Sequence, residues 1–151
     1  MSELPSFWTK KMLLPDVNVW LALTFEAHVH HPAARAWFDG LSNEICFFCR
    51  LTQQGFLRLA SNSRAFGSDA ISLPDAWRAC DQFLGDQRVA FANEPAGLEA
   101  FWRAFTNNEA FSKNIWSDAY LVAFAAAANI EVVTFDRGFA RYKTARCNIL
   151  S

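Results

Sequence analysis

A chain of 151 residues, 52% apolar and 19% charged, has the makeup of one folded domain with a real core and is too apolar for a disordered chain. Its net charge of −1 excludes the strongly basic balance that announces many nucleic-acid binders. No apolar run reaches the ~18 residues of a membrane span, and MSELPSFWTKK lacks the apolar centre of a secretion signal, so a cytoplasmic location is expected.

Residues 1–11 read as an N-terminal extension and residues 12–151 as a single domain, because regular patterning begins at Met12. MLLPD (12–16) reads as a short buried strand whose pairing weakens at Pro15, which has no N–H to give. VNVWLAL (17–23) begins a helix directly after Asp16. A loop with His28, His30 and His31 follows, then Pro32 suits the first turn of a helix with Ala33, Trp37 and Leu41 at helical spacing. Residues 44–49 form a second strand. Thr52 is placed to cap a helix QQGFLRLASN, in which Gly55 costs roughly 1 kcal/mol against alanine.

Residues 62–73 carry Gly, Ser, Asn and Asp and read as an irregular connection. Pro74 starts a helix with Ala76, Trp77, Cys80, Phe83 and Leu84 inward, and Arg88–Ala92 is a third strand. Pro95 opens a helix whose Leu98, Phe101, Trp102 and Phe105 make a core stripe. After the polar loop TNNEAFSKN, Ser117 caps an alanine-rich helix ending at Asn129, which tolerates the left-handed conformation of a helix end. Residues 131–135 are a β-branched buried strand. RGFARY makes a turn or short helix, and ARCNILS holds the last strand. This alternation predicts an α/β fold: three layers, α/β/α, around a mostly parallel sheet of about five strands.

Cys46 and Cys49 form a C-x-x-C, but an odd offset on a strand sends them to opposite faces, and no second pair completes a metal site. Reduced core cysteines are the expectation for all four (Cys46, Cys49, Cys80, Cys147).

Three carboxylates are expected on one edge of that sheet. Asp16 ends the first strand, Asp136 ends a later one, and Asp118 begins the helix feeding the latter. Sites in open parallel sheets form beyond the carboxyl ends of the strands. Clustered carboxylates repel and raise one another's pKa, and a hard cation such as Mg²⁺, or Mn²⁺ in its place, relieves that repulsion. Singly, each aspartate has a plainer role: Asp16 as a helix cap, Asp118 at a helix's positive end, Asp136 as a turn residue before glycine. Their convergence favours phosphoryl chemistry.

The segments PDVNVWLAL, FCRLTQQGFLRLASN, WSDAYLVAFA and TFDRGF, in that order, resemble the PIN-domain proteins, and within them the VapC-type toxins of bacterial toxin–antitoxin pairs. The resemblance covers residue 12 to about 150. It implies a Mg²⁺-dependent endoribonuclease with Asp16, Asp118 and Asp136 as metal-holding catalytic acids, an RNA substrate and a cognate antitoxin protein. Asn18 matches a position that supports the first aspartate. The sequence departs from the family where a glutamate often follows the second strand: Thr52-Gln53-Gln54-Gly55 has no acid, leaving a glutamine, Gln54, to bind a metal-held water, and one or two metals remain open. Thr134 is a further supporting residue, and Arg137 and Arg50 are candidate RNA-phosphate contacts, with Arg58 and Arg141 as further arginines. The aromatic-rich helices suit a homodimer seam or an antitoxin groove. Two rivals stand beside this reading: a catalytically weak RNA- or partner-binding module, and a protein using an aspartate as phosphoryl acceptor.

Overall fold

A computed structural model describes residues 10–107 and 110–151 of the chain; residues 1–9 of the expected extension, and two residues of the 106–114 loop, lie outside them. β1 (Lys11–Pro15) leads through α1 (Val17–Thr24) and α2 (His31–Asp39) to β2 (Glu44–Phe48). α3 (Arg50–Ala60), α4 (Ser63–Phe66) and α5 (Leu73–Leu84) precede β3 (Val89–Phe91). α6 (Leu98–Thr106) and α7 (Ile115–Ala128) bring the chain to β4 (Glu131–Thr134), and a 3-10 turn (Arg137–Arg141) leads to β5 (Cys147–Ile149). The strands lie in the order β3-β2-β1-β4-β5, and every neighbouring pair is parallel. The expected three-layer α/β/α architecture is what the chain forms.

Each strand divides its side chains between two cores, as a two-residue period requires. Leu13, Cys46, Phe48 and Val133 face the layer of α1, α2, α3 and α5, whereas Leu14 and Val132 face α7 and α6. Trp20 anchors the first core, stacked on Phe48 with centroids 4.0 Å apart. The cysteines are free; Cys46 joins one core and Cys49 the other. No helix among the described residues is long and apolar enough to cross a membrane.

Several local expectations shift. β1 begins at Lys11, one residue early, and Pro15 is its last residue, though the Asp16 N–H still donates to Val133 at 2.8 Å. Cys49, not Thr52, precedes α3. Thr52 is the third helical residue, its Oγ1 accepting from the Cys49 N–H at 3.0 Å, so the hydroxyl caps backwards. Asn114 rather than Ser117 precedes α7, and the Ser117 hydroxyl donates back to its carbonyl at 3.1 Å. The segment after Asn62, expected to be irregular, makes the single turn α4 because the Asn62 side chain accepts from the Arg64 N–H. Pro95 does not open α6; Gly97, left-handed with φ 85°, stands before its first residue.

Rotations about the helix axes shift too. In α2 the buried positions are Ala34 and Phe38, with Ala33, Trp37 and Leu41 at the margin. Trp77 and Phe101, expected inward, are 50% and 41% exposed. Asn129 ends α7 left-handed, at φ 57° and ψ 49°, as its side chain tolerates.

Candidate active site

The strand order reverses direction at β1: the chain builds β2 and β3 to one side of it and β4 and β5 to the other. A crevice beyond the carboxyl ends of β1 and β4 follows from that reversal. Asp16 is the residue after β1, and its Oδ1 accepts from the Val17 N–H at 2.7 Å, capping α1. Asp136 lies two residues past β4, and its Oδ1 accepts from the Gly138 N–H at 2.8 Å. Both plainer roles are therefore real, and they orient the carboxylates without saturating them.

Thr134, fully buried at the end of β4, ties the two strand ends together. Its Oγ1 donates to Asp16 Oδ2 at 2.9 Å and accepts from Asn18 Nδ2 at 3.1 Å and the Asp136 N–H at 3.0 Å. One donor and two acceptor positions are thus all used, which fixes the direction of the hydroxyl proton toward Asp16. Asn18 completes the link: its Nδ2 also reaches Asp16 Oδ2 at 3.4 Å, and its Oδ1 accepts from the Phe135 N–H at 3.2 Å.

Asp118, in the first turn of α7, faces the same space. A cavity of about 260 Å³ is lined by Asp16, Asp118 and Asp136 together with Asn18, Thr52 and Gly55. Burial, then the charges of Asp16 and Asp136, push the Asp118 carboxyl up to about 6 against the opposing pull of Arg141, whose Nη2 lies 3.6 Å from it. Burial also raises Asp16, opposed by the Thr134 and Val17 hydrogen bonds and reinforced by Asp136. The expected convergence is present: three acids from three places in the chain share one cavity and repel one another.

They are not drawn into a finished cage. Among the described residues no group of three His, Cys, Asp or Glu side chains is spaced to hold a metal ion as it stands. The donor chemistry nevertheless fits a hard cation: oxygen ligands only, concentrated negative charge, and one acid raised by burial and by its neighbours. The histidines do not offer an alternative. His28 Nδ1 accepts from the His30 N–H, His31 Nδ1 donates to the Ala22 carbonyl at 2.7 Å, and His30 stacks on Phe135.

Other expected site residues lie elsewhere. Gln54 is exposed and lines two neighbouring cavities, not the acidic one; Thr52 and Gly55 occupy that wall. Arg50 is exposed, 4.8 Å from the Phe91 ring centroid, and Arg137 is exposed on its turn; neither lines the acidic cavity. Arg58 does, together with Asn114 and Ser117. Asn114 escaped sequence reasoning, yet its position four residues before Asp118, at a helix start, was a usable signal.

A parallel α/β sheet with an acid-lined crevice at its switch point defines a domain class suited to phosphoryl chemistry. The PIN domain family model matches residues 13–145. Ribonuclease VapC41 of Mycobacterium tuberculosis is 46% identical over 136 residues, covering 87% of this chain and 93% of the relative. Ribonuclease VapC38 of the same organism is 31% identical, covering 84% and 86%. Among solved structures, VapBC2 of Rickettsia felis bound to a promoter DNA fragment aligns with a TM-score of 0.69 at 14% identity, covering 93% of this chain and 99% of that one. The sarcin–ricin-loop-cleaving toxin VapC20 of M. tuberculosis aligns at 0.61 and 18% identity, covering 86% and 94%. The chain belongs to the PIN-domain family.

Proposed function

We propose that the protein is an endoribonuclease, the toxin of a toxin–antitoxin pair, with Asp16, Asp118 and Asp136 holding Mg²⁺, or Mn²⁺ in its place. The observation that carries the reading is the shared cavity of the three acids, in which burial first and then the charges of the other two raise Asp118. The relatives named as ribonucleases and the VapBC complexes among the structural neighbours support the substrate class and the antitoxin partner.

Each residue has a task in this reading. Thr134 and Asn18 hold the Asp16 carboxylate in one orientation across the β1–β4 junction. The Gly138 N–H does the same for Asp136. Arg141 balances part of the Asp118 charge. Arg58, at the cavity wall, supplies a cation for an RNA phosphate. When bound, a divalent cation supplies Lewis acidity toward a phosphoryl oxygen and raises the acidity of water, which phosphodiester hydrolysis requires. The rival in which an aspartate accepts the phosphoryl group has less support, because the Thr134 hydroxyl it would recruit is committed to Asp16, Asn18 and Asp136. The reading places the protein in the cytoplasm and as a homodimer, for which the exposed Phe101, Phe111 and Trp116 offer flat apolar surface.

The test is cleavage of labelled RNA by the purified chain, freed of antitoxin, with Mg²⁺ or Mn²⁺ against chelator. Metal-dependent internal cuts that disappear in Asp16→Asn are expected. Intact RNA with every metal would overturn the assignment in favour of a binding module.

A further inference from the structure

A second cavity, of about 410 Å³, lies beside the acidic one, beyond the carboxyl ends of β2 and β3. Leu51 belongs to the walls of both, and Tyr120 of the second wall stands two residues along α7 from Asp118. A ribonucleotide adjoining a phosphate at the aspartates would reach this space. Its volume is within the ~300–1,000 Å³ of small-ligand sites.

The walls carry the chemistry that binds an unpaired base. Arg50 lies over the Phe91 ring at 4.8 Å from its centroid, and its Nη1 donates to Gln53 Oε1, so the guanidinium plane is braced from two sides. Its outer face is a flat cationic platform of the kind on which splayed bases stack. The Gln54 and Asn93 side chains are exposed, and neither makes a hydrogen bond to another described residue. Each amide offers a donor beside an acceptor, the pair that matches a base edge. Glu94 accepts from the Tyr120 hydroxyl at 2.7 Å, which fixes a further acceptor at the rim.

The geometry points to a subsite for one unpaired nucleobase next to the cleaved phosphodiester, stacked on Arg50 and read along its edge by Gln54 and Asn93. It rests on the ribonuclease reading above and adds a specificity determinant to it. Gln54, which the sequence offered as a metal-site residue, is thereby a base-reading residue.

The experiment is cleavage of a randomised single-stranded RNA pool by wild type, Gln54→Ala and Asn93→Ala with Mn²⁺, followed by sequencing of the cut ends. Both variants alter exposed residues, and equal melting temperatures confirm the fold. Wild type is expected to prefer one base at one fixed position beside the cut. The variants are expected to lose that preference and to cut the preferred sequence roughly 10- to 100-fold less efficiently, as loss of a bidentate base contact implies. Preferences at other positions persist. Variants with the wild-type base profile, whether cutting as fast or uniformly slower, overturn the subsite while leaving the nuclease intact. A wild type that cuts no member of the pool overturns the ribonuclease reading and the subsite with it.

Discussion

Replacing Gly55 by alanine probes how closely α1 and α3 must approach for the acidic cavity to form. A Cβ at that position would stand 2.7 Å from Val17 Cγ2, closer than real contacts allow. Valine in a helix is held almost entirely in one rotamer, so its methyl has little room to yield. Alanine gains roughly 1 kcal/mol of helix propensity over glycine. Overpacking costs typically about 1–3 kcal/mol, so against the helix gain the net loss reaches at most about 2 kcal/mol, or a fall in melting temperature of up to roughly 6 °C for a chain of this size. Because Val17 donates its N–H to Asp16, displacing it also disturbs the site, and activity should fall further than stability. Val17→Ala removes the obstructing methyl. In that background Gly55→Ala should stabilise, so the double-mutant cycle shows a coupling of about 1–3 kcal/mol, opposite in sign to the single penalty. Chemical denaturation of the four proteins measures it. A Gly55→Ala single variant more stable than wild type by the full helix gain of roughly 1 kcal/mol would refute the close-approach argument.

Three further outcomes follow from the site. The folded pKa of Asp118, about 6, lies above its unfolded value of 3.8, so its ionised form costs stability; that cost is fully present above the folded pKa and is relieved progressively as pH falls from about 6 toward 3.8. Metal-free protein should therefore gain stability between pH 7.5 and 5, by about 1 kcal/mol or less after discounting for solvent screening at a partly exposed carboxylate, and Asp118→Asn should remove that part of the profile in urea titrations. Thr134→Val keeps the shape but strands the Asp136 N–H, removes the hydroxyl that donates to Asp16 and leaves the Asn18 amide only its longer reach to Asp16; a loss of about 1–3 kcal/mol by denaturation and a large drop in RNA cleavage are expected, with Thr134→Ser retaining most of both. Asp16→Asn retains the α1 cap through its side-chain oxygen, so it should lose RNA cleavage while melting within a few degrees of wild type by circular dichroism.

The layer order and the shared edge of Asp16, Asp118 and Asp136 were legible because they follow from coarse periodicity: short β-branched runs alternating with helices admit few arrangements, and strand ends in such sheets face one crevice. Rotations about helix axes were not. Trp77 and Phe101 sit at helical spacing from truly buried neighbours, and an aromatic at the margin of a stripe reads the same whether it faces core or solvent. Gln54 was misplaced for a related reason: the family pattern marks the first turn of α3 but not which of its side chains turns inward, and Thr52 and Gly55 take that wall. Gly55 looked like a tolerated helix defect because the reason for it, Val17, lies on another element. The Thr134 junction with Asn18 joins residues more than a hundred positions apart, beyond any local signal.

The account stands on three acids acting together on one cation, and Mn²⁺ or Mg²⁺ titration of the metal-free chain, followed by thermal melting, tests that most directly. Metal at about 100 times its dissociation constant should add roughly 2.7 kcal/mol to wild type, several degrees in melting temperature, and nothing to Asp118→Asn, which should itself melt above metal-free wild type. A melting temperature indifferent to both the metal and the substitution would contradict it.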